Sequence, residues 1–111
     1  MKVAALIDDL FFVVKVRGVA QELGTELTIC RSADAVPADA ARVFVDLNAS
    51  TFDPVAEITR LAAQASRPVI AFVSHVQVEL KNRAEKAGAT EVLPRSAFVQ
   101  RLPELLGETP A

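Results

Sequence analysis

The chain has 111 residues, of which 51% are hydrophobic and 23% charged, with a formal net charge of −2 and a pI of about 5.3. That length suits one domain around one core and is too short for two, and the composition is not that of a disordered segment. No basic stripe is present, which excludes a large nucleic-acid surface, and the longest apolar run, 10–14, is far too short to span a bilayer.

From the N-terminus, Lys2 to Ile7 is an apolar run that stops at Asp8-Asp9, the pattern of a strand buried on both faces. Acids arriving so early are also unlike a secretory leader, so the expectation is a cytoplasmic protein. Over 10–23 the apolar residues Phe12, Val16, Val19, Ala20 and Leu23 recur at helical spacing, and Gly24 ends the helix. Residues 26–31 read as a second strand that holds the single cysteine, Cys30, which has no internal partner and reads as a buried strand thiol. Ser32 starts a short turn or helix through Val36. Residues 42–46 form a third strand that again ends on an acid, Asp46. Pro54 suits a helix start, with Val55, Ile58, Leu61 and Ala62 as its apolar stripe. A fourth strand, 69–73, ends at Ser74, and helix 76–87 stops at Gly88. Residues 91–93 form a short fifth strand. Ser96 then caps a last helix, which Pro103 should kink or split into two pieces. One domain is expected over 1–107, with 108–111 as a frayed tail.

Strands alternating with helices imply an α/β fold, a doubly wound parallel sheet with helices on both faces. Ligand sites in such sheets lie beyond the carboxyl ends of the strands, where this chain places Asp8, Asp9, Asp46, Ser74 and Arg95. Clustered carboxylates attract a hard cation such as Mg²⁺, and a carboxylate beside that ion can act as a nucleophile toward a phosphoryl group. A hydroxyl and a cation, here Ser74 and Arg95, would hold the phosphoryl oxygens. Each acid alone also reads as a helix cap or loop residue, and only their joint placement favours a site.

VAALIDDLFFVVKVRGVAQELG at 3–24, RVFVDLN at 42–48, PVIAFVSH at 68–75 and KAGATEVLPRS at 86–96 resemble, in the right order, the signature segments of CheY-like response-regulator receiver domains. The resemblance implies a flavodoxin-like five-stranded sheet of order 2-1-3-4-5. It implies Asp46 as phospho-acceptor, Asp8, Asp9, Asp46 and the Asn48 carbonyl around Mg²⁺, and Ser74 on the phosphoryl group. Arg95 stands where the family has lysine. The implied partners are a histidine kinase or a downstream effector protein. A flavin or nucleotide is not expected, because Gly18, Gly24, Gly88 and Gly107 are not clustered into a phosphate loop.

The chain departs from the family at several points. Arginine replaces lysine at 95, and Ser96 replaces the proline after it, while Pro94 precedes it. Val92 stands where the family has an aromatic ring, and the Met-Pro after the acceptor region is missing. The acid pair has two registers. With Asp9 as the second acid, the inward positions are Val13, Val16, Arg17 and Ala20; with Asp8, they are Phe12, Lys15, Val16 and Val19, with Leu23 beyond. Leu10, Phe11 and Val14 are left over from either stripe. They either cover the sheet edge or form an exposed interface for a partner or for a homodimer.

Two functions compete. One is a stand-alone degenerate receiver that acts by binding protein; the other is a single-domain response regulator phosphorylated on Asp46 with Mg²⁺. The departures favour the first. A small flavodoxin-like enzyme is the weakest reading, and any catalysis would be receiver-type self-phosphorylation and dephosphorylation.

Overall fold

The protein is described by a computed structural model over residues 1–75 and 77–107. Five parallel strands, β1 (Lys2–Leu6), β2 (Glu26–Cys30), β3 (Arg42–Asp46), β4 (Val69–Val73) and β5 (Glu91–Pro94), form one sheet in the order β2-β1-β3-β4-β5. The helices are α1 (Leu10–Leu23), α2 (Pro54–Gln64), α3 (Val78–Ala87) and α4 (Arg95–Leu105). The expected short helix after β2 is a single 3-10 turn, Ala33–Ala35. The doubly wound sheet read from the sequence is therefore the architecture found.

β1, β3 and β4 are the interior strands of the sheet, and their apolar residues are buried on both faces because helices cover both. On one face Leu6, Val43, Val45, Ala71 and Val73 meet Ile58 and Leu61 of α2 and Ala84 of α3. Val92, the residue in place of the family's ring, packs at the margin of this cluster. On the other face Val3, Ala5, Phe44 and Phe72 meet Phe12, Val16 and Ala20 of α1 and Phe98 and Leu102 of α4. Four rings dominate this second layer. Phe72 and Phe98 stack with centroids 4.3 Å apart, Phe44 meets Phe98 edge-on at 5.0 Å, and Phe12 lies 5.0 Å from Phe72.

Local rules set the element ends. Asp9 caps α1, its carboxylate accepting the Phe11 and Phe12 N–H groups, and Gly24 closes the helix in the left-handed region at φ 69°. Asp53 caps α2 ahead of Pro54 at the first turn. Gly88 ends α3, and a Cβ there would lie only 2.5 Å from that of Ala62 on α2. The far end of α4 is held by Arg42, whose guanidinium donates to the Leu105 carbonyl at 2.6 Å and the Gly107 carbonyl at 3.0 Å. The buried Thr25 hydroxyl donates to the Leu106 carbonyl beside it.

Several expectations need correcting. In α1 the buried residues are Phe12, Val13, Val16 and Ala20, whereas Leu23, in the last turn, is 46% exposed. Both Lys15 and Arg17 are exposed, so neither charge enters the core. The helix faces the sheet between the two readings: Phe12 comes from the stripe counted from Asp8, and Val13, Val16 and Ala20 from the stripe counted from Asp9. Ser96 does not cap α4, because β5 runs directly into a helix that begins at Arg95 with Pro94 before it. Pro103 does not split α4. It stands in the last turn, where Leu102 and Leu105 are buried on either side. Strand β1 stops at Leu6, with Ile7 buried beyond it, and β2 stops at Cys30. Helix α3 begins at Val78; Val76 and the tail 108–111 lie outside the described residues.

Phe98 lies within 6.0 Å, centroid to centroid, of each of the other three rings and is fully buried, so Phe98→Ala should cost about 3–5 kcal/mol in urea unfolding. A loss below about 1 kcal/mol would show that the ring cluster is not the centre of this layer.

Candidate functional site

Parallel strands finish on one side, so the ends of β1, β3, β4 and β5 share an edge. Asp8 and Asp9 follow β1, Asp46 closes β3, Ser74 follows β4 and Arg95 follows β5. The structure joins these residues, but not around one point.

Asp46 is the buried member, with only 1% of its surface exposed. One carboxylate oxygen, Oδ1, accepts the Asn48 N–H at 2.9 Å, and Oδ2 lies 3.4 Å from Nη2 of Arg95. The other terminal nitrogen of Arg95, Nη1, lies 3.4 Å from Oδ2 of Asp9. The guanidinium thus bridges two acids. Both separations are long for hydrogen bonds, so the attraction is mainly between charges. Its plane also lies over the Phe12 ring, 4.5 Å from the centroid, and 5.8 Å from that of Phe72. Nε of Arg95 is buried and has no hydrogen-bond partner among the described residues. Two carboxylates and two rings therefore offset the cost of desolvating this cation.

The position of Arg95 follows from local sequence. Pro94 ends β5 in an extended conformation, φ −59° and ψ 148°, and the helix starts at once. A cation at a helix N-terminus is repelled by the helix dipole, which favours turning the side chain out across the sheet edge toward acids. Lysine could not do the same, since only a planar guanidinium presents two nitrogens to two carboxylates and stacks on a ring.

Asp8 is turned elsewhere. Its Oδ2 accepts the Ser50 and Thr51 N–H groups, both at 2.9 Å, and the Thr51 hydroxyl at 3.0 Å. It is a clasp on the loop after β3. These donors hold the carboxyl of Asp8 below its ordinary pKa of 3.8, the Thr51 N–H most strongly. Asp46 moves the other way. Burial raises its pKa above 3.8, the Asn48 N–H and Arg95 act to lower it, and the charges of Asp8 and Asp9 raise it further.

Ser74 is exposed and enters through its backbone, its N–H donating to Oδ1 of Asn48 at 2.7 Å. Asn48 links β3 to the loop after β4: its N–H holds Asp46 and its side chain holds Ser74. The sequence reading assigned Asn48 only a carbonyl role and missed its side chain, the clasp residues Ser50 and Thr51, and Phe12 as the floor beneath Arg95. A short side chain two residues after a buried acid was the available signal for Asn48.

A divalent cation fits this donor set poorly. Asp9 spends Oδ1 on the helix cap, and Asp9 and Asp46 direct their remaining oxygens at the same guanidinium. Asp8 directs Oδ2 at the loop. Among the described residues, no three His, Cys, Asp or Glu side chains are placed to hold a metal ion.

No protein-family model matches the sequence, and no curated protein matches it. Solved structures do match. The chemotaxis protein CheY4 of Vibrio cholerae superposes with a TM-score of 0.80 at 19% identity, over 95% of this chain and 94% of that one. The fold is that of CheY-like receiver domains. A second receiver, from the DNA-binding response regulator merR of Colwellia psychrerythraea, gives a TM-score of 0.78 at 17% identity, over 96% and 98%. The Mn²⁺-bound form of response regulator Rcp1 gives 0.70 at 14%, over 95% and 88%. On this receiver fold, Asp46 closes the third strand at the sheet edge and Arg95 begins the last helix. Among the described residues no helix is long and apolar enough to cross a membrane.

The sign of the Asp46 shift sets a pH test. A carboxyl whose folded pKa is raised costs stability when ionised, and that cost falls away as pH drops through the folded pKa toward 3.8. Asp46→Asn, which keeps an acceptor for the Asn48 N–H, should therefore be more stable than the parent at neutral pH in urea unfolding. The difference should shrink near ~pH 4. A variant less stable at neutral pH, with a gap that closes on acidification, would show that Arg95 outweighs burial.

Proposed function

We propose that the protein is a receiver-fold signalling module that acts by binding protein rather than by taking a phosphoryl group with Mg²⁺. The observation that supports this is the Arg95 guanidinium between Asp9 and Asp46. A receiver-type transfer needs Asp46 as a free nucleophile beside a divalent ion, with Asp8 and Asp9 as that ion's ligands. Here the positive charge is supplied by the chain itself, and Asp8 serves the loop. A tethered cation stays beside both acids and balances one of their two charges without any exchangeable ion.

The surface that such a module would offer is on α1. Leu10, Phe11 and Val14 are 77%, 92% and 69% exposed. They do not cover the sheet edge, because Phe12, Val13, Val16 and Ala20 already fill the inward face. Three large apolar side chains together in water on one helix turn make an interaction surface. It lies directly after the acid pair, beside the edge where Arg95 sits.

The second reading, a response regulator phosphorylated on Asp46, is favoured by one feature: Asp46 closes β3 with Asp8, Asp9, Ser74 and Arg95 on the same edge. The Mn²⁺-bound form of Rcp1 shows that a protein of this fold takes a divalent ion. A single experiment separates the two. With acetyl phosphate or beryllofluoride and Mg²⁺, intact-mass and fluorine NMR measurements should show no adduct on the protein. A stable adduct that disappears in Asp46→Asn would establish the phosphorylated receiver instead. Arg95→Ala should cost about 1–3 kcal/mol in unfolding, because Asp46 is then buried without its cation. No loss would remove Arg95 as the stabilising element.

A further inference from the structure

We infer that α1 docks against α1 of a second copy of this chain, antiparallel and crossing at Gly18. The exposed face of α1 is Leu10, Phe11, Val14, Gly18 and Gln21, which recur at helical spacing and carry no charge. Charged residues border this stripe: Lys15 and Glu22 on one edge and Arg17 on the other. An uncharged centre with a charged rim is the layout of a protein interface.

Gly18 is the second observation. It stands in the middle of a 14-residue helix, with an ordinary negative φ. A Cβ built there meets no atom within 4 Å, so alanine would fit without cost and would make a better helix. Among the described residues nothing packs where the Gly18 side chain would be. A helix lying across that point requires the glycine, because the missing side chain lets two backbones approach closely.

Charge selects the occupant. Lys15 and Glu22 lie on the same edge, two turns apart and placed about evenly either side of Gly18. In a two-fold antiparallel pair crossing at Gly18, an edge faces the same edge of its mate. Lys15 of each copy then meets Glu22 of the other, twice, as an isologous interface requires. The same register sets Val14 beside Gln21 of the mate and carries Leu10 and Phe11 over the end of the mate's helix. An unrelated partner would account for the apolar patch but not for the self-matching edge.

This inference rests on the binding-module reading only in needing α1 free. Its test reads association and no metal or phosphoryl chemistry, so either can fail alone. Sedimentation equilibrium of the full chain should show a concentration-dependent dimer. Phe11→Glu and Gly18→Leu should each weaken it at least about tenfold, with circular dichroism unchanged. Lys15→Glu should weaken it by a similar factor, and Lys15→Glu/Glu22→Lys should restore it, because the reversed pair again attracts across the two-fold axis. A monomer at every concentration overturns the inference. So does a dimer indifferent to Gly18→Leu, or a double charge reversal no tighter than the single one.

Discussion

The structure depends on one arrangement at its sheet edge: a single guanidinium placed between a buried carboxylate and a helix-capping carboxylate. Burial pushes the pKa of the Asp46 carboxyl upward, and the cation beside it acts against that shift. Arg95 provides that cation from the first residue of α4, and it is itself supported from below by the ring of Phe12. Asp9 then does two jobs. It caps α1 through one oxygen and steadies Arg95 through the other, so the first helix, the last helix and the central strand meet through one charge.

That edge is continuous with the core beneath it. Phe12, Phe44, Phe72 and Phe98 fill the layer between α1, α4 and the sheet, and the guanidinium closes the top of this aromatic group. The cation is therefore set by packing as well as by charge, which differs from an exchangeable ion held only by oxygen ligands. On the far side of the edge, Asn48 ties Asp46 to the loop at Ser74, and Asp8 ties down the loop at Ser50 and Thr51.

The fold was legible because its signals were local and mutually consistent. Short apolar runs ending on Asp8, Asp46 and Ser74 marked buried parallel strands, and Gly24 and Gly88 marked two helix ends. The receiver resemblance carried the strand order. Less of the site was legible. The gathering of Asp8, Asp9, Asp46, Ser74 and Arg95 on one edge follows from topology, but the hydrogen bonds each makes do not. Periodicity cannot show that Asp8 turns to Thr51, or that Arg95 spans two acids, because these depend on rotamers and loop paths set in three dimensions. Two boundary errors have the same origin. Ser96 looked like a cap, yet β5 flows straight into the helix at Arg95; Pro103 looked disruptive, yet burial of Leu102 and Leu105 carries α4 past it.

We propose that Arg95, at the position of the family's lysine, engages Asp9 and Asp46 so that a divalent ion does not bind there. Titration calorimetry of Mg²⁺ into the parent and into Arg95→Ala tests it most directly. The account predicts no saturable binding to the parent in the millimolar range, and binding that emerges when the guanidinium is removed. Saturable binding by the parent that is lost in Asp46→Asn would contradict it.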